Sequence, residues 1–144
     1  MNPLTLLFSR GAEGVPPPER IDFAGLRLPA SPNTWLGAPA GTHPDQHGVI
    51  PPFGPAPDAV LAAIGAVAAG MPRTFRLGAF PGQLHWVVRS ATMNYPDIVV
   101  AEARPRGAGT GLILYSRSLI GWSDLGANRT RAEAWLAALR ARLG

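Results

Sequence analysis

The sequence of 144 residues contains no cysteine and no lysine. The absence of cysteine excludes disulfides and thiolate metal sites, and it is compatible with a reducing compartment. Only 15% of the residues are charged, yet the longest apolar runs fall far short of the roughly 18 residues that a membrane span needs. No basic residue precedes the apolar patch from Leu4 to Phe8, so a signal peptide is not indicated. We expect a cytoplasmic location without a transmembrane segment, and peripheral membrane contact through this patch stays open as an alternative.

The basic residues, all 13 of them arginine, are concentrated in the second half of the chain. Residues 1–72 hold three arginines and five acidic residues, whereas residues 73–144 hold ten arginines and four acidic residues. The basic second half of the chain would attract anions through its long-range electrostatic field. Nucleic acid is disfavoured as a partner, because the sequence has neither a row of strand aromatics for base stacking nor a base-reading helix.

The first third of the chain is rich in proline, with 12 of the 16 prolines in residues 1–57. Proline lacks an amide donor and restricts the preceding residue, so this region cannot be mostly helix or central strand. Its apolar residues would be costly to leave in water. We therefore interpret residues 1–55 as an extended arm that wraps a core at residues 56–144, within a single domain. Ile21 to Leu28 is predicted to form an edge strand or β-bridge, and Met1 to Pro18 is alternatively a disordered tail or a segment that docks on a partner.

Two helices are predicted in the core. Pro57 suits the first helical position, apolar residues then recur at helical spacing, and Gly70 ends the run, which predicts a helix over about 57–70. A second helix is predicted over about 129–143. Its start has two candidate signals, Asn128 as an N-cap or Thr130 with Glu133 as a capping box.

Between the helices, four apolar runs with short connections predict an antiparallel meander. The first two runs flank Pro81-Gly82, which fits the central positions of a type II turn. The core thus has the order α-β-β-β-β-α, and the predicted fold class is α+β, a two-layer sandwich with two helices on one face of a four-stranded sheet. The runs are TFRLGAF, QLHWVVRSA, DIVVAEA and LILYSRS.

Alternation along the strands predicts a patch for anions. If Leu84, Trp86 and Val88 face the helices, the opposite and uncovered face carries His85, Arg89, Tyr115 and Arg117. Guanidinium groups bind carboxylates and phosphates in bidentate fashion, so such a face would be receptive to an anion. The alternative is that both arginines form cross-strand pairs with Glu102 or Asp97.

The stretch that follows the fourth strand is unusually polar. Asp124 and Asn128 can hold backbone amides in a turn. Arg131 opposes the helix dipole in the first helical turn, so we expect it to pair with Asp124 or Asp97. Two roles stay open for these side chains: a structural tie between strand and helix, or a site for a small anion or a partner.

Other chemistries fit the sequence poorly. A serine hydrolase would combine Ser116 or Ser118 with His85 and Asp97, but alternation places both serines on the face opposite His85. A metal site from His43, Asp45 and His47 is disfavoured against solvated loop residues. The glycine-rich RGAGTG lacks the lysine and helix of a phosphate-binding loop. We therefore expect no metal, no cofactor and no catalytic residues.

Several motifs resemble those of a bacterial family catalogued as domain of unknown function 1499. The C-terminal pattern Ser116-Arg117-Ser118, Gly121, Ser123-Asp124, Gly126, Asn128, Arg131 and Trp135-Leu136 is similar to the signature of that family. Shorter matches precede it in the same order at SPN, MPRT, RS and PD, and the resemblance spans about residue 30 to the end. Thr34 and Trp35 follow the SPN where many relatives carry a cysteine, so no thiol role is implied.

The resemblance implies an uncharacterised protein without assigned catalytic residues. We expect a non-enzymatic binding or accessory protein that recognises a small anionic ligand, or a partner protein through the arm or the open sheet face. The candidate residues are His85, Arg89, Tyr115, Arg117, Asp124, Asn128 and Arg131. The alternative is an enzyme that acts on an anionic substrate, with His85 or Asp97 as acid or base and the arginines as clamps.

Overall fold

A computed structural model describes residues 2–144 and contains three helices and one six-stranded sheet. Met1, the first residue of the predicted arm, lies outside the described residues. The elements in chain order are α1 (Pro3–Phe8), β1 (Thr34–Ala38), β2 (Gly48–Val49), α2 (Pro57–Ala69), β3 (Thr74–Phe80), β4 (Gln83–Arg89), β5 (Pro96–Arg106), β6 (Gly109–Ser118) and α3 (Ala127–Leu143).

The α+β class is confirmed, but the sheet is larger than predicted. Its strand order is β2-β1-β6-β5-β4-β3, so the four predicted strands are present as the antiparallel run β3 to β6. Two further strands come from the proline-rich region: β1 pairs antiparallel with β6, and β2 pairs parallel with β1. The prediction of a four-stranded, purely antiparallel meander is therefore wrong in extent, and the sheet is mixed.

The helices α2 and α3 cover one face of the sheet and close its main core. Val60, Ile64 and Leu139 of the helices are fully buried, and Trp86 of β4 meets Trp135 of α3 edge to face at 5.3 Å. Pro57 occupies the first turn of α2 and Gly70 follows its last residue, as the sequence indicates. No helix among residues 2–144 has the length and apolar character needed to cross a bilayer.

The opposite face of the sheet is covered by the segment before β1, not open as predicted. A second apolar cluster forms there from Val87, Ile98, Val100 and Ile113 of the sheet, and Phe23 packs on it edge to face with Tyr115. The predicted edge strand at Ile21 to Leu28 is absent. The side chain of Asp22 accepts from the amide of Ala24 and turns the chain there, and the isolated β-bridge instead joins Phe53 to Thr110.

Candidate functional site

The predicted site residues divide between the two faces of the sheet. His85, Arg89, Tyr115 and Arg117 lie on the face covered by the N-terminal segment, as alternation predicts. Asp124, Asn128 and Arg131 lie beyond the end of β6, where α3 begins on the opposite face. The seven residues therefore form two separate groups.

Arg89 is 2% exposed and is bound by backbone carbonyls alone. Its Nε donates to Gly11 O at 3.0 Å, Nη2 donates to Glu13 O at 3.0 Å, and Nη1 donates to the carbonyls of Leu6 and Asn94. Burial lowers the pKa of Arg89, and the nearby Glu13 carboxylate opposes this effect. Its donors are occupied, so Arg89 fastens the N-terminal segment and is not free to hold a ligand.

Arg117 lies on the same face, and its guanidinium group has no partner among the described residues. Among residues 2–144 no carboxylate lies within 4.0 Å of it, and it makes no hydrogen bond to another residue, so the predicted cross-strand pairing is not seen. It is half-buried between two adjoining clefts of about 540 and 510 Å³. We call these two clefts, between residues 15–34 and the sheet, the Arg117 groove.

The first cleft of the Arg117 groove is lined mainly by apolar residues, the second mixes apolar residues with polar ones such as Ser31 and Thr34, and the charges of both are mostly positive. Arg20 lines the first cleft and Arg27 lines the second, and both are exposed. Glu19 is the carboxylate that lines the first cleft. The apolar part of the lining consists of Val15, Pro16, Pro17, Pro18, Ile21, Leu77 and Ile98 in the first cleft and Ile21, Leu26, Pro29 and Tyr115 in the second.

His85 lines the first cleft as a neutral imidazole. It is 3% exposed, and burial together with the charges of Arg117 and Arg20 lowers its pKa to about 4. Its Nε2 lies 2.7 Å from Oε1 of Gln83, so this nitrogen carries the proton and donates. The other ring nitrogen makes no hydrogen bond among the described residues, and it is thus an acceptor within the groove.

The side chain of Gln83 organises this region, and its role was not predicted. It is fully buried, donates to Ile21 O at 3.0 Å and accepts from Ile21 N at 2.9 Å. It also donates to Glu102 at 2.8 Å, and Glu102 pairs with Arg20 and Arg104. A buried glutamine inside a strand was the available signal, because such an amide requires partners.

Tyr115 is 3% exposed and lines the second cleft. Burial raises the pKa of its phenol, and the charge of Arg117 opposes that rise only in part. It is therefore a neutral wall residue of the groove.

Asn128 is fully buried at the junction of β1, β6 and α3. Its amide nitrogen donates to Asn33 O at 3.0 Å and to Ser118 Oγ at 2.9 Å, and its carbonyl accepts from Ser116 Oγ at 2.6 Å and from Arg131 at 3.0 Å. We call the Asn128 side chain and its four partners, which are the carbonyl of Asn33 and the side chains of Ser116, Ser118 and Arg131, the Asn128 network. Each polar group in it has a partner within the chain.

Asp124, and not Asn128 or Thr130, caps the final helix. The helix begins at Ala127 after Gly126 in a left-handed conformation, and Asp124 accepts from the amides of Gly126 at 2.7 Å and Asn128 at 3.0 Å. Burial opposes ionisation of Asp124, but the hydrogen bonds from Asn128 and Gly126 outweigh it and lower the pKa. Both predicted N-cap signals are wrong, because the loop supplies the acceptor two residues before the cap position.

Arg131 pairs with Asp97 at 2.9 Å, one of the two partners expected from the sequence. Burial raises the pKa of Asp97, and the Arg131 charge and the Ser118 hydroxyl oppose this. Asp97 is opposite Val88 in the sheet register, so it belongs to the face of the helices and His85 to the other. The two residues proposed together as an acid and base therefore do not share a site.

The histidines of the loop between β1 and β2 are held by backbone groups. His43 Nε2 donates to Leu26 O at 2.7 Å while its Nδ1 accepts from Asp45 N at 3.0 Å, and His47 Nδ1 accepts from Leu36 N at 2.9 Å. These bonds fix the loop against β1. Among residues 2–144 no three His, Asp or Glu side chains are grouped closely enough to hold a metal ion.

Comparison with known proteins identifies the family and nothing more specific. No curated protein matches the chain. A family model described as a protein of unknown function, DUF1499, matches residues 27–139. This match covers β1 through most of α3, including Arg117, Asp124 and the Asn128 network, and confirms the resemblance inferred from the motifs. The chain belongs to the DUF1499 family.

Proposed function

We propose that the protein is a non-enzymatic binding domain that takes a small carboxylate or phosphate ligand in the Arg117 groove. Within this proposal the chain acts as one domain: residues 1–55 wrap the core at residues 56–144 and supply one wall of the groove. Arg117 anchors the anion, and the neutral His85 lines the first cleft beside it.

The observation that carries the proposal is the free guanidinium of Arg117. The other two arginines that are not exposed have partners: Arg89 of β4 binds four carbonyls, and Arg131 of α3 binds Asp97. A half-buried guanidinium without a partner loses hydration without recovering hydrogen bonds, so an anion that reaches it replaces the lost interactions. Burial is the main cause of the lowered pKa of His85, and the positive charges of Arg117 and Arg20 at the cleft lower it further, which agrees with this view.

The apolar walls favour a ligand that carries an apolar body behind its anionic group. Small-molecule sites are typically lined by apolar side chains with a few polar groups that fix orientation. The groove matches that description, with proline and aliphatic side chains around Arg117, His85 and Tyr115. An aliphatic or aromatic monocarboxylate therefore suits it better than a free inorganic anion.

The test is calorimetric titration of the wild type and of Arg117→Gln with phosphate, acetate, hexanoate and benzoate. Gln retains much of the side-chain stem and removes the charge, so we expect the melting temperature to stay within a few degrees while ligand affinity falls by roughly tenfold or more. Arg106→Gln is the matched control, because Arg106 is an exposed arginine at the far end of β5.

The outcomes separate the proposal from a structural role for Arg117. Binding that is lost in Arg117→Gln and retained in Arg106→Gln supports the site. Equal affinity in all three proteins, or no heat of binding for any of the four anions, contradicts it. A large fall in melting temperature for Arg117→Gln alone would instead assign Arg117 to the stability of the fold.

A further inference from the structure

Exposed apolar side chains are gathered at one end of the protein. Among residues 2–144 eight large apolar side chains are exposed, and seven of them lie at the end where β4 and β6 finish and β3 and β5 begin. Only Val49 lies at the opposite end, since it pairs with the last residue of β1. We call the seven the apolar end surface: Leu4, Phe8, Phe75, Met93, Tyr95, Trp122 and Leu125.

Four separate parts of the chain form this surface: α1, the start of β3, the loop between β4 and β5, and the loop between β6 and α3. The side chain of Asn94 donates to Leu7 O at 2.8 Å and to Ser9 O at 2.7 Å, which fixes α1 against the loop between β4 and β5. That loop in turn faces the loop between β6 and α3 across a cleft of about 410 Å³. Arg89 adds its bonds to the carbonyls of Leu6 and Gly11. The clustering is thus built into the tertiary structure.

Leu125 provides an independent observation. It is 97% exposed and has a φ of 55°, a left-handed conformation that disfavours a branched aliphatic side chain. The other non-glycine residues with positive φ are polar, Arg73 and Asn94. Leucine at this position gains nothing within the fold, since it is both strained and in water. Its side chain is therefore explained by contact with something outside the chain.

The chemistry of the surface fits a lipid bilayer. Trp122 and Tyr95 are the residue types that combine an apolar body with a polar group and are enriched at membrane interfaces. Isolated apolar tips on a short helix and two loops suit insertion among acyl chains better than a packed protein interface. Arg10 and Arg73 are exposed on the same end, where Glu13 and Asp124 carry the opposite charge, so the attraction depends on the charge of the whole protein. With a formal net charge of +4, the protein is attracted to anionic headgroups.

We propose that the apolar end surface docks the protein on an anionic bilayer, with Trp122 and Leu125 inserted below the headgroups. This peripheral contact uses residues outside the Arg117 groove. The proposal of membrane docking is therefore tested independently of ligand binding in the Arg117 groove.

Tryptophan fluorescence with vesicles tests the proposal. Trp86 and Trp135 are 2% exposed and Trp35 is partly buried, whereas Trp122 is 67% exposed, so we expect Trp122 to contribute most of the response to lipid. With vesicles of phosphatidylcholine and phosphatidylglycerol we expect the emission to move to shorter wavelength and brominated acyl chains to quench it. Vesicles of phosphatidylcholine alone are expected to bind more weakly, because the electrostatic attraction is missing.

Leu125→Asn separates docking from folding. Asn tolerates the left-handed conformation, so the variant is expected to melt no lower than the wild type. Its affinity for anionic vesicles is expected to fall by roughly tenfold, because one leucine no longer leaves water. Val49→Asn at the opposite end is the matched control and is expected to bind as the wild type does.

Three results would overturn the proposal. The first is no vesicle binding by the wild type, and the second is equal binding by Leu125→Asn and Val49→Asn. The third is a concentration-dependent dimer that shields Trp122 from a soluble quencher without lipid, which would assign the surface to a second copy of the chain.

Discussion

Arginine is the basic residue of this chain throughout, and the partner within reach decides what each one does. Arg89 donates hydrogen bonds to four backbone carbonyls and thereby anchors the N-terminal segment. Arg131 meets Asp97 and ties α3 to β5. Arg117 meets neither carbonyl nor carboxylate, and this difference is what makes it the candidate anchor for a ligand.

The neutral state of His85 predicts a pH dependence of stability. Its pKa of about 4 in the folded protein lies below the ordinary value of 6.5, so below pH 6.5 the unfolded chain binds the proton more readily. The contribution of the neutral imidazole to the free energy of unfolding is fully present above pH 6.5. It declines by up to about 1.4 kcal/mol per pH unit as the pH falls toward 4. The measurement is urea unfolding of the wild type and His85→Gln at pH 7, 6 and 5.

The difference between the two proteins isolates this effect, because Asp97 and Asp124 titrate in both. We expect the free energy of unfolding of the wild type to fall more steeply than that of His85→Gln below pH 6.5. Parallel profiles would contradict the assignment of a buried, neutral imidazole.

Because Asn128 joins several groups of the Asn128 network, we expect a single substitution of Asn128 to cause a large loss of stability. Asn128→Ala removes the acceptor of the buried Ser116 hydroxyl, one of the two donors to the carbonyl of Asn33, and the donor to Ser118 Oγ. We expect the free energy of unfolding to fall by about 2 to 3 kcal/mol. Asp124→Ala, which removes the helix cap, is expected to cost about 1 kcal/mol. Chemical denaturation measures both, and equal small losses would show that the network is not structural.

At the scale of elements, the proline-rich region is the part of the chain whose role was hardest to predict. Gly37 of β1 pairs with Gly48 of β2, and a Cβ at either position would meet the ring of Trp35 at 2.3 or 2.6 Å. Glycine is required there for close approach of the ring, yet in a sequence it argues against a strand. Two short strands were therefore missed, because their stability comes from tertiary packing and not from local preference.

The elements after residue 56 were predictable because their signals are local. Pro57 and Gly70 mark the ends of α2, and alternation along β4 and β6 assigns the correct faces. The start of α3 lies two residues before the predicted one, since the cap comes from Asp124 in the preceding loop, whereas its end agrees with the prediction. The contact of Arg89 with residues 6–13 was out of reach, because it joins segments about 80 positions apart.

The four hydrogen bonds of Arg89 lead to the prediction that the position of the N-terminal segment depends on this one buried side chain. Arg89→Met keeps a similar stem, removes the donors and leaves the carbonyls of Leu6, Gly11 and Glu13 unpaired. We expect a loss of about 2 to 4 kcal/mol, from several lost bonds to one charged group, and faster amide hydrogen exchange over residues 3–15. Arg142→Met at the exposed end of α3 is the control, and unchanged exchange in Arg89→Met would contradict the fastening.

At the scale of the whole molecule, the sheet has two covered faces with different properties. The face of α2 and α3 holds the larger core, and its polar groups near Asn128 and Asp97 are satisfied within the chain. The face covered by the N-terminal segment keeps a groove with a free guanidinium. Seven residues were predicted as candidates for binding an anion or a partner, but the sequence could not show that the sheet separates them into two groups. Only the part around His85, Tyr115 and Arg117 remains as a candidate.

The most direct test of the central claim is a crystal structure grown with 4-bromobenzoate, whose bromine is located by anomalous scattering. The claim predicts a bromine peak in the Arg117 groove, with the carboxylate oxygens within roughly 2.7 to 2.9 Å of the Arg117 guanidinium. A groove without such a peak, in a crystal where Arg117 pairs with a carboxylate of the chain such as Glu19, would contradict it.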